Sequence, residues 1–115
     1  MLEDVLRIAQ GNSIVAGARV AARLYHRGKL VSTGLAQYKT HPRQAKINAL
    51  RPYLHAEIDC LLRAARMGFD SWDRAELYVA RAKKDGSPGL AKPCPVCQTL
   101  IEEFGVGKVY WTDKT

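Results

Sequence analysis

The apolar positions at the start of the chain recur at helical spacing. In "LEDVLRIA", Leu2, Val5, Leu6 and Ala9 share one face, and Gly11-Asn12 ends the segment, which predicts an opening helix. The pattern then changes to alternation. In "ARVAARLYHRGKLVSTGL", Val20, Ala22 and Leu24 alternate with Arg19, Ala21 and Arg23, which predicts a β-hairpin turning at Arg27-Gly28. The next stretch, "AQYKTHPRQAKINALRP", follows neither pattern. It is polar and basic, and predicts a long loop of the kind that carries function.

Helical spacing returns in "PYLHAEIDCLLRAARMG", where Leu54, Ile58, Leu61, Leu62 and Ala65 repeat. Pro52 suits the first turn of that helix and Gly68 its end. "AELYVARA" predicts a strand and "KKDGSPGLAK" a loop. "PCPVCQTLIEEFG" predicts another helix: Pro95 takes an early position, Val96, Leu100, Ile101 and Phe104 share a face, and Gly105 closes it. "KVYWT" predicts a last strand. A hairpin followed by helix–strand alternation implies an α/β layered fold with a mixed sheet.

Composition narrows the setting. A chain of 115 residues is expected to form a single domain over 1–115, able to bury a core without disulfides. Hydrophobic residues make up 47%, which excludes a disordered chain. The apolar stretches are short and broken by arginine, so no membrane span is expected. "MLEDVLRIAQ" is acidic and amphipathic, unlike a signal peptide, and a cytoplasmic location is expected. Three cysteines make a poor disulfide framework and fit free thiols or metal ligands in a reducing compartment. The formal net charge of +7 favours anionic partners such as nucleotides or nucleic acid, although a solvated basic surface accounts for the same number.

Two clusters carry candidate chemistry, His55-Ala56-Glu57 and Pro93-Cys94-Pro95-Val96-Cys97. Both fall at the starts of predicted helices, which in a layered α/β fold can converge at one edge of the sheet. Cys94 and Cys97 can face one metal ion from a helix N-terminus, where the helix dipole favours thiolate. With His55 they make a nitrogen-and-two-sulfur set suited to zinc. Three protein ligands leave a fourth position open, the arrangement of a catalytic site, and zinc lowers the pKa of water bound there to near neutral. A closed structural zinc, with His41 or His26 as fourth ligand, is the alternative, but it gives Glu57 no role. Glu57 is the candidate general acid/base beside such a water. Cys60, further along the same helix, is expected to be a small buried hydrophobe, and Trp72 and Trp111 are expected to pack.

H-x-E followed by P-C-x-x-C is a pattern of zinc-dependent nucleobase deaminases. On these motifs, and on the element order around them, the chain resembles the cytidine/deoxycytidylate deaminase superfamily, which also includes tRNA adenosine deaminases. The resemblance covers nearly the whole chain. It implies a three-layer α/β/α domain of the cytidine deaminase-like fold, with Zn2+ held by His55, Cys94 and Cys97. Glu57 would move protons from the water to the ring nitrogen and the leaving ammonia. The backbone N–H of Ala56 would donate to the base, and Pro93 would shape the pocket wall. Where much of the family has an asparagine after the second strand, this chain has Ala36 and Gln37, and Gln37 is the expected substitute. The "KTHP" that follows, Lys39 to Pro42, fits this register. The family's further helix and strand have no counterpart before Thr115, so a fold shortened at the C-terminus is expected.

The implied activity is hydrolytic deamination of a cytosine-containing nucleotide or nucleoside, with release of ammonia. Lys39, His41, Arg43, Lys46 and Arg51 form a basic loop that favours a phosphorylated substrate such as deoxycytidylate, and Lys83, Lys84 and Lys92 could serve likewise. Tyr53, Asn12 and Asn48 are outside candidates for substrate contacts. An alternative is the same chemistry on a base within single-stranded DNA or RNA. A third, of another class, is a zinc-stabilised deaminase-like binding module. Family members usually form dimers or larger rings, so a homo-oligomer is expected.

Overall fold

The computed structural model describes residues 1–12, 14, 18–37 and 54–113. The first helix, α1, spans Leu2–Gln10. The hairpin follows as β1, Arg19–His26, and β2, Lys29–Leu35, paired antiparallel. Its turn lies where the pattern predicts. Arg27 and Gly28 both have positive φ, at 52° and 77°, which matches the right-handed twist of the two strands. A short irregularity between Leu24 and Tyr25 shifts the register near the turn.

The strand β3, Ala75–Ala82, pairs along its whole length with β1 in antiparallel register, from Arg19 opposite Ala82 to His26 opposite Ala75. Its other edge takes two partners. The two-residue β4, Pro88–Gly89, runs antiparallel beside Arg81 and Ala82. The last strand, β5, Lys108–Trp111, runs parallel beside Glu76–Val79. The sheet is therefore mixed and five-stranded. The predicted loop "KKDGSPGLAK" thus contains a short strand, because its Pro-Gly step meets the free edge of β3.

Helices cover both faces. On one face, Val5 and Ala9 of α1 bury against Ala21, Ala80 and Ala82, with Leu6 and Ile8 beside them. Ala21 therefore does not belong to a polar face, as the alternation suggested. It is fully buried under α1. On the other face lie α2, Ala56–Arg66, and α3, Pro95–Phe104. Ile58, Leu61 and Leu100 pack there against Leu24, Leu77 and Val79, all fully buried. Each such aliphatic side chain contributes about 1.5–3 kcal/mol of transfer free energy. Phe69, Trp72 and Phe104 add a cluster of rings at 4.7–4.9 Å, while Trp111 packs against the same core.

The start of α2 differs from the prediction. Pro52 lies outside the described residues, and Leu54 is still extended. Its N–H and C=O both bond to Gln37, at 2.7 and 2.9 Å. A residue paired on both sides in this way cannot belong to a helix, so the helix opens only at Ala56, with His55 as its extended cap. Close approach to β2 fixes the helix there. Gly34 has no side chain, and a Cβ in its place would run into the backbone of Ala56 and Cys60. The Ser32 hydroxyl donates to the Cys60 carbonyl at 2.9 Å across the same contact.

Candidate metal centre

The two motifs occupy equivalent places. His55 caps α2 with φ −74° and ψ 147°, and Cys94 caps α3 with φ −71° and ψ 168°. Pro95, with its fixed φ and no N–H, holds the first position of α3. Cys97 follows in the first turn, so the two cysteines face the same point. Both helix starts lie over one end of the sheet, and their side chains meet. The His55 Nδ1 is 3.5 Å from the Cys94 Sγ and 3.2 Å from the Cys97 Sγ.

One ligand atom from each of His55, Cys94 and Cys97 lies within 4.8 Å of the others, so the three could hold one metal ion. No other His, Cys, Asp or Glu among the described residues joins the group. His26 instead packs edge-on against Phe69 at 5.7 Å, and His41 lies outside the described residues. An imidazole and two thiols at this spacing are a donor set that zinc accepts, and no described residue adds a fourth ligand to it.

The thiols are electrostatically prepared. The Cys97 thiol donates to the Cys94 sulfur, and with help from His55 this holds Cys94 down to about 3 despite partial burial. The same bond, together with burial, pushes Cys97 upward. The two shifts are opposite results of one contact between the sulfurs, and a cation held there would favour thiolate at both.

Glu57 stands in the first turn of α2 and is only 5% exposed. Burial pushes its carboxyl above the usual carboxylate range, and its backbone N–H, His55 and a hydrogen bond with Cys97 offset part of that rise. A carboxyl so placed can hold a proton and give it back.

A recess of about 180 Å³ opens beside these groups. His55, Ala56, Glu57 and Cys94 line it together with Val20, Ala36, Arg81 and Lys92. That volume is below the roughly 300 Å³ at which pockets for whole drug-sized ligands begin. Ala56, expected to present its N–H, lines the recess and is almost fully buried. Pro93 is buried next to Cys94. Gln37 is not among the lining residues. Its side-chain amide donates to the Asp59 Oδ2 at 3.0 Å, and Ala36 takes the wall position instead. The Asn12 amide is likewise spent on the carbonyls of Val20 and Ala36. Lys39, His41, Arg43, Lys46, Asn48, Arg51 and Tyr53 lie outside the described residues. Cys60 is fully buried against Ser32, away from the metal group.

Two residues escaped the sequence reasoning. Arg81 continues the face of Leu77 and Val79, and that position at the end of an apolar row was the available signal. Asp59 was the other polar residue of "YLHAEIDC", and nothing local marked it.

The family model for the cytidine and deoxycytidylate deaminase zinc-binding region matches residues 2–113. No curated protein matches the chain. Among solved structures, the dCMP deaminase of cyanophage S-TIM5 in its apo form is 24% identical, with a TM-score of 0.69 over 99% of this chain and 83% of that one. The same enzyme in complex with dCMP and dUMP aligns at 20% identity with a TM-score of 0.70, over 99% of this chain and 79% of that one. Guanine deaminase from Bacillus subtilis is 20% identical, with a TM-score of 0.62 over 96% of this chain and 60% of that one. At these identities the structures establish a shared fold.

Proposed function

The chain belongs to the cytidine and deoxycytidylate deaminase family, and from that premise we propose that it removes ammonia hydrolytically from the cytosine of a nucleotide, with deoxycytidylate as the favoured form. The observation that carries this reading is the convergence of His55, Cys94 and Cys97 beside the buried Glu57, at the wall of a recess. The three ligand residues would hold zinc, which when bound supplies the Lewis acidity that makes water a nucleophile near neutral pH.

The chain's own groups do the rest. Glu57, with its carboxyl raised by burial, takes a proton from the attacking water and passes it to the ring nitrogen. A second transfer delivers a proton to the exocyclic amine. The C4–N bond breaks, the C4–O bond has formed, and ammonia leaves. The N–H of Ala56 belongs to the first turn of α2, where helical N–H groups have no acceptor within the helix. It can donate to the base and hold it edge-on to Glu57. Arg81 and Lys92 at the recess support a substrate that carries a phosphate.

The test is an assay of the zinc-loaded protein against deoxycytidylate, cytidylate, their nucleosides, guanine, adenosine and single-stranded oligonucleotides. Ammonia release and the absorbance change to the uracil form are followed. Conversion of deoxycytidylate faster than of deoxycytidine is expected. Absence of conversion of every compound by protein that carries zinc would end the enzymatic reading.

A further inference from the structure

We propose that Asp59 is a positioning residue for the metal centre: its buried carboxylate clamps the strand end that holds Leu54, and through it His55. The inference rests on the reading that His55 is a zinc ligand.

Asp59 lies one turn after His55 in α2 and is only 6% exposed. A carboxylate so buried is tolerated only when hydrogen-bonded. Its donors come from separate segments. Oδ2 accepts the Leu35 N–H at 3.1 Å and the Gln37 side-chain amide at 3.0 Å. Oδ1 accepts Arg63 Nε at 3.0 Å, from a side chain that is half exposed. Two of the three donors therefore belong to the chain leaving β2, and the third comes from the next turn of α2.

The segment held in this way is the one that grips the histidine. Gln37 bonds Leu54 through both its N–H and its C=O, and His55 is the next residue. From the helix side, the Asp59 N–H donates to the His55 carbonyl at 3.0 Å. The contacts form a closed ring: Asp59 to residues 35–37, these to Leu54, Leu54 to His55, and His55 back to Asp59.

The cysteine side has no need of such a ring. Cys94 and Cys97 sit in one helix start, stiffened by Pro95. His55 is brought to its helix start by the closure of Leu54 onto Gln37 through two backbone hydrogen bonds. The Asp59 clamp fixes the Gln37 side of that closure. Gln37, expected from the sequence to touch substrate, is in this proposal a member of the clamp.

The experiment measures zinc affinity by competition with a chromophoric chelator, and the visible spectrum of the cobalt-substituted protein, in the full chain. Asp59→Ala is expected to weaken zinc binding about 10- to 100-fold, the range seen when groups that orient a metal ligand are removed. It should also alter the cobalt ligand-field bands. Asp59→Asn can still present one oxygen to Leu35 and Gln37 while Arg63 swings into water, so it should restore affinity to within about threefold of the parent. Val5→Ala, a cavity under α1 on the far face of the sheet, is the control for general destabilisation.

Zinc affinity and cobalt spectrum unchanged in Asp59→Ala would overturn the proposal, as would equal weakening in Val5→Ala at a matched loss of melting temperature. Should Asp59→Ala fail to fold, Gln37→Leu takes its place. It removes one donor of the ring and is expected to weaken zinc several-fold, and parental affinity there would likewise overturn the proposal. Because the readout is metal binding, it separates the two readings. A parent protein that binds no zinc would remove the ligand assignment itself, whereas a variant that matches a zinc-binding parent removes only the clamp.

Discussion

Glu57 and Cys60 stand three residues apart on one helix, and burial acts on both, yet to different ends. Burial raises the Glu57 carboxyl where it lines the recess, and the proposed role of proton carrier draws on that position. Replacing it with glutamine keeps the shape and removes the proton carrier. Glu57→Gln is expected to retain zinc by metal analysis and to lose about 10²- to 10⁴-fold in kcat, the usual contribution of one general acid/base group. Cys60 faces Ser32 instead, and desolvation pushes its thiol up to about 12 from 9.0. The folded state therefore keeps this proton where the unfolded chain releases it. Stability from this group is complete below pH 9.0 and is lost as pH rises toward about 12. Within that window the loss is about 1.4 kcal/mol per pH unit. Urea unfolding at stepped pH should show a steeper alkaline decline in the parent than in Cys60→Ala. Parallel curves would place the thiol in an environment less apolar than the one described here. That His55, Cys94 and Cys97 would come together, with Glu57 in the same helix start as His55, was legible because H-x-E and P-C-x-x-C each open a helix with the residue types a metal takes. Asp59 was not, since its partners Leu35 and Gln37 are close only in the fold.

At the scale of elements, the turn and the core faces followed from period and glycine placement, whereas the helix start did not. Arg27-Gly28 was readable because a two-residue reversal needs a residue that accepts positive φ, and Gly28 supplies one. The beginning of α2 was misplaced because Pro52 is a good local helix opener, while the pairing of Leu54 with Gln37 is a non-local event that overrides it. The same holds for Ala21: alternation alone could not reveal that α1 would return to cover that face. Gly34 is the case with the sharpest consequence. Its neighbours at the α2 contact are backbone atoms of Ala56 and Cys60, which cannot rotate away from a new methyl group. Gly34→Ala is expected to cost about 3 kcal/mol in chemical denaturation, the upper end for overpacking. It should also weaken zinc binding, because the displaced helix start carries His55. Unchanged stability would mean that α2 can slide on β2 without loss.

For the whole molecule, the net charge of +7 gains meaning only from where part of it lies. A charge excess spread over a surface attracts every anion, and by itself it does not distinguish a nucleotide from a strand of nucleic acid. Arg81 and Lys92 are among the residues that line the recess, so part of that charge lies at the candidate site. Two such groups can answer one phosphate, whereas gripping a polymer takes a row of them. Salt separates these cases, because each phosphate neutralised on a single strand adds about 0.7 to the slope of log affinity against log salt concentration. For deoxycytidylate, which carries no condensed counterions, only a shallow negative slope of log kcat/KM is expected from ordinary screening, and for the uncharged deoxycytidine a slope close to zero. Arg81→Ala combined with Lys92→Ala should flatten the nucleotide's slope toward that of the nucleoside and raise its KM, with little effect on the nucleoside. An oligonucleotide that is deaminated faster than the mononucleotide, with a slope of about −3 or steeper, would show that several phosphates are held together. In that event the basic surface beyond the recess would be part of the binding site, and the substrate would be a base within a strand.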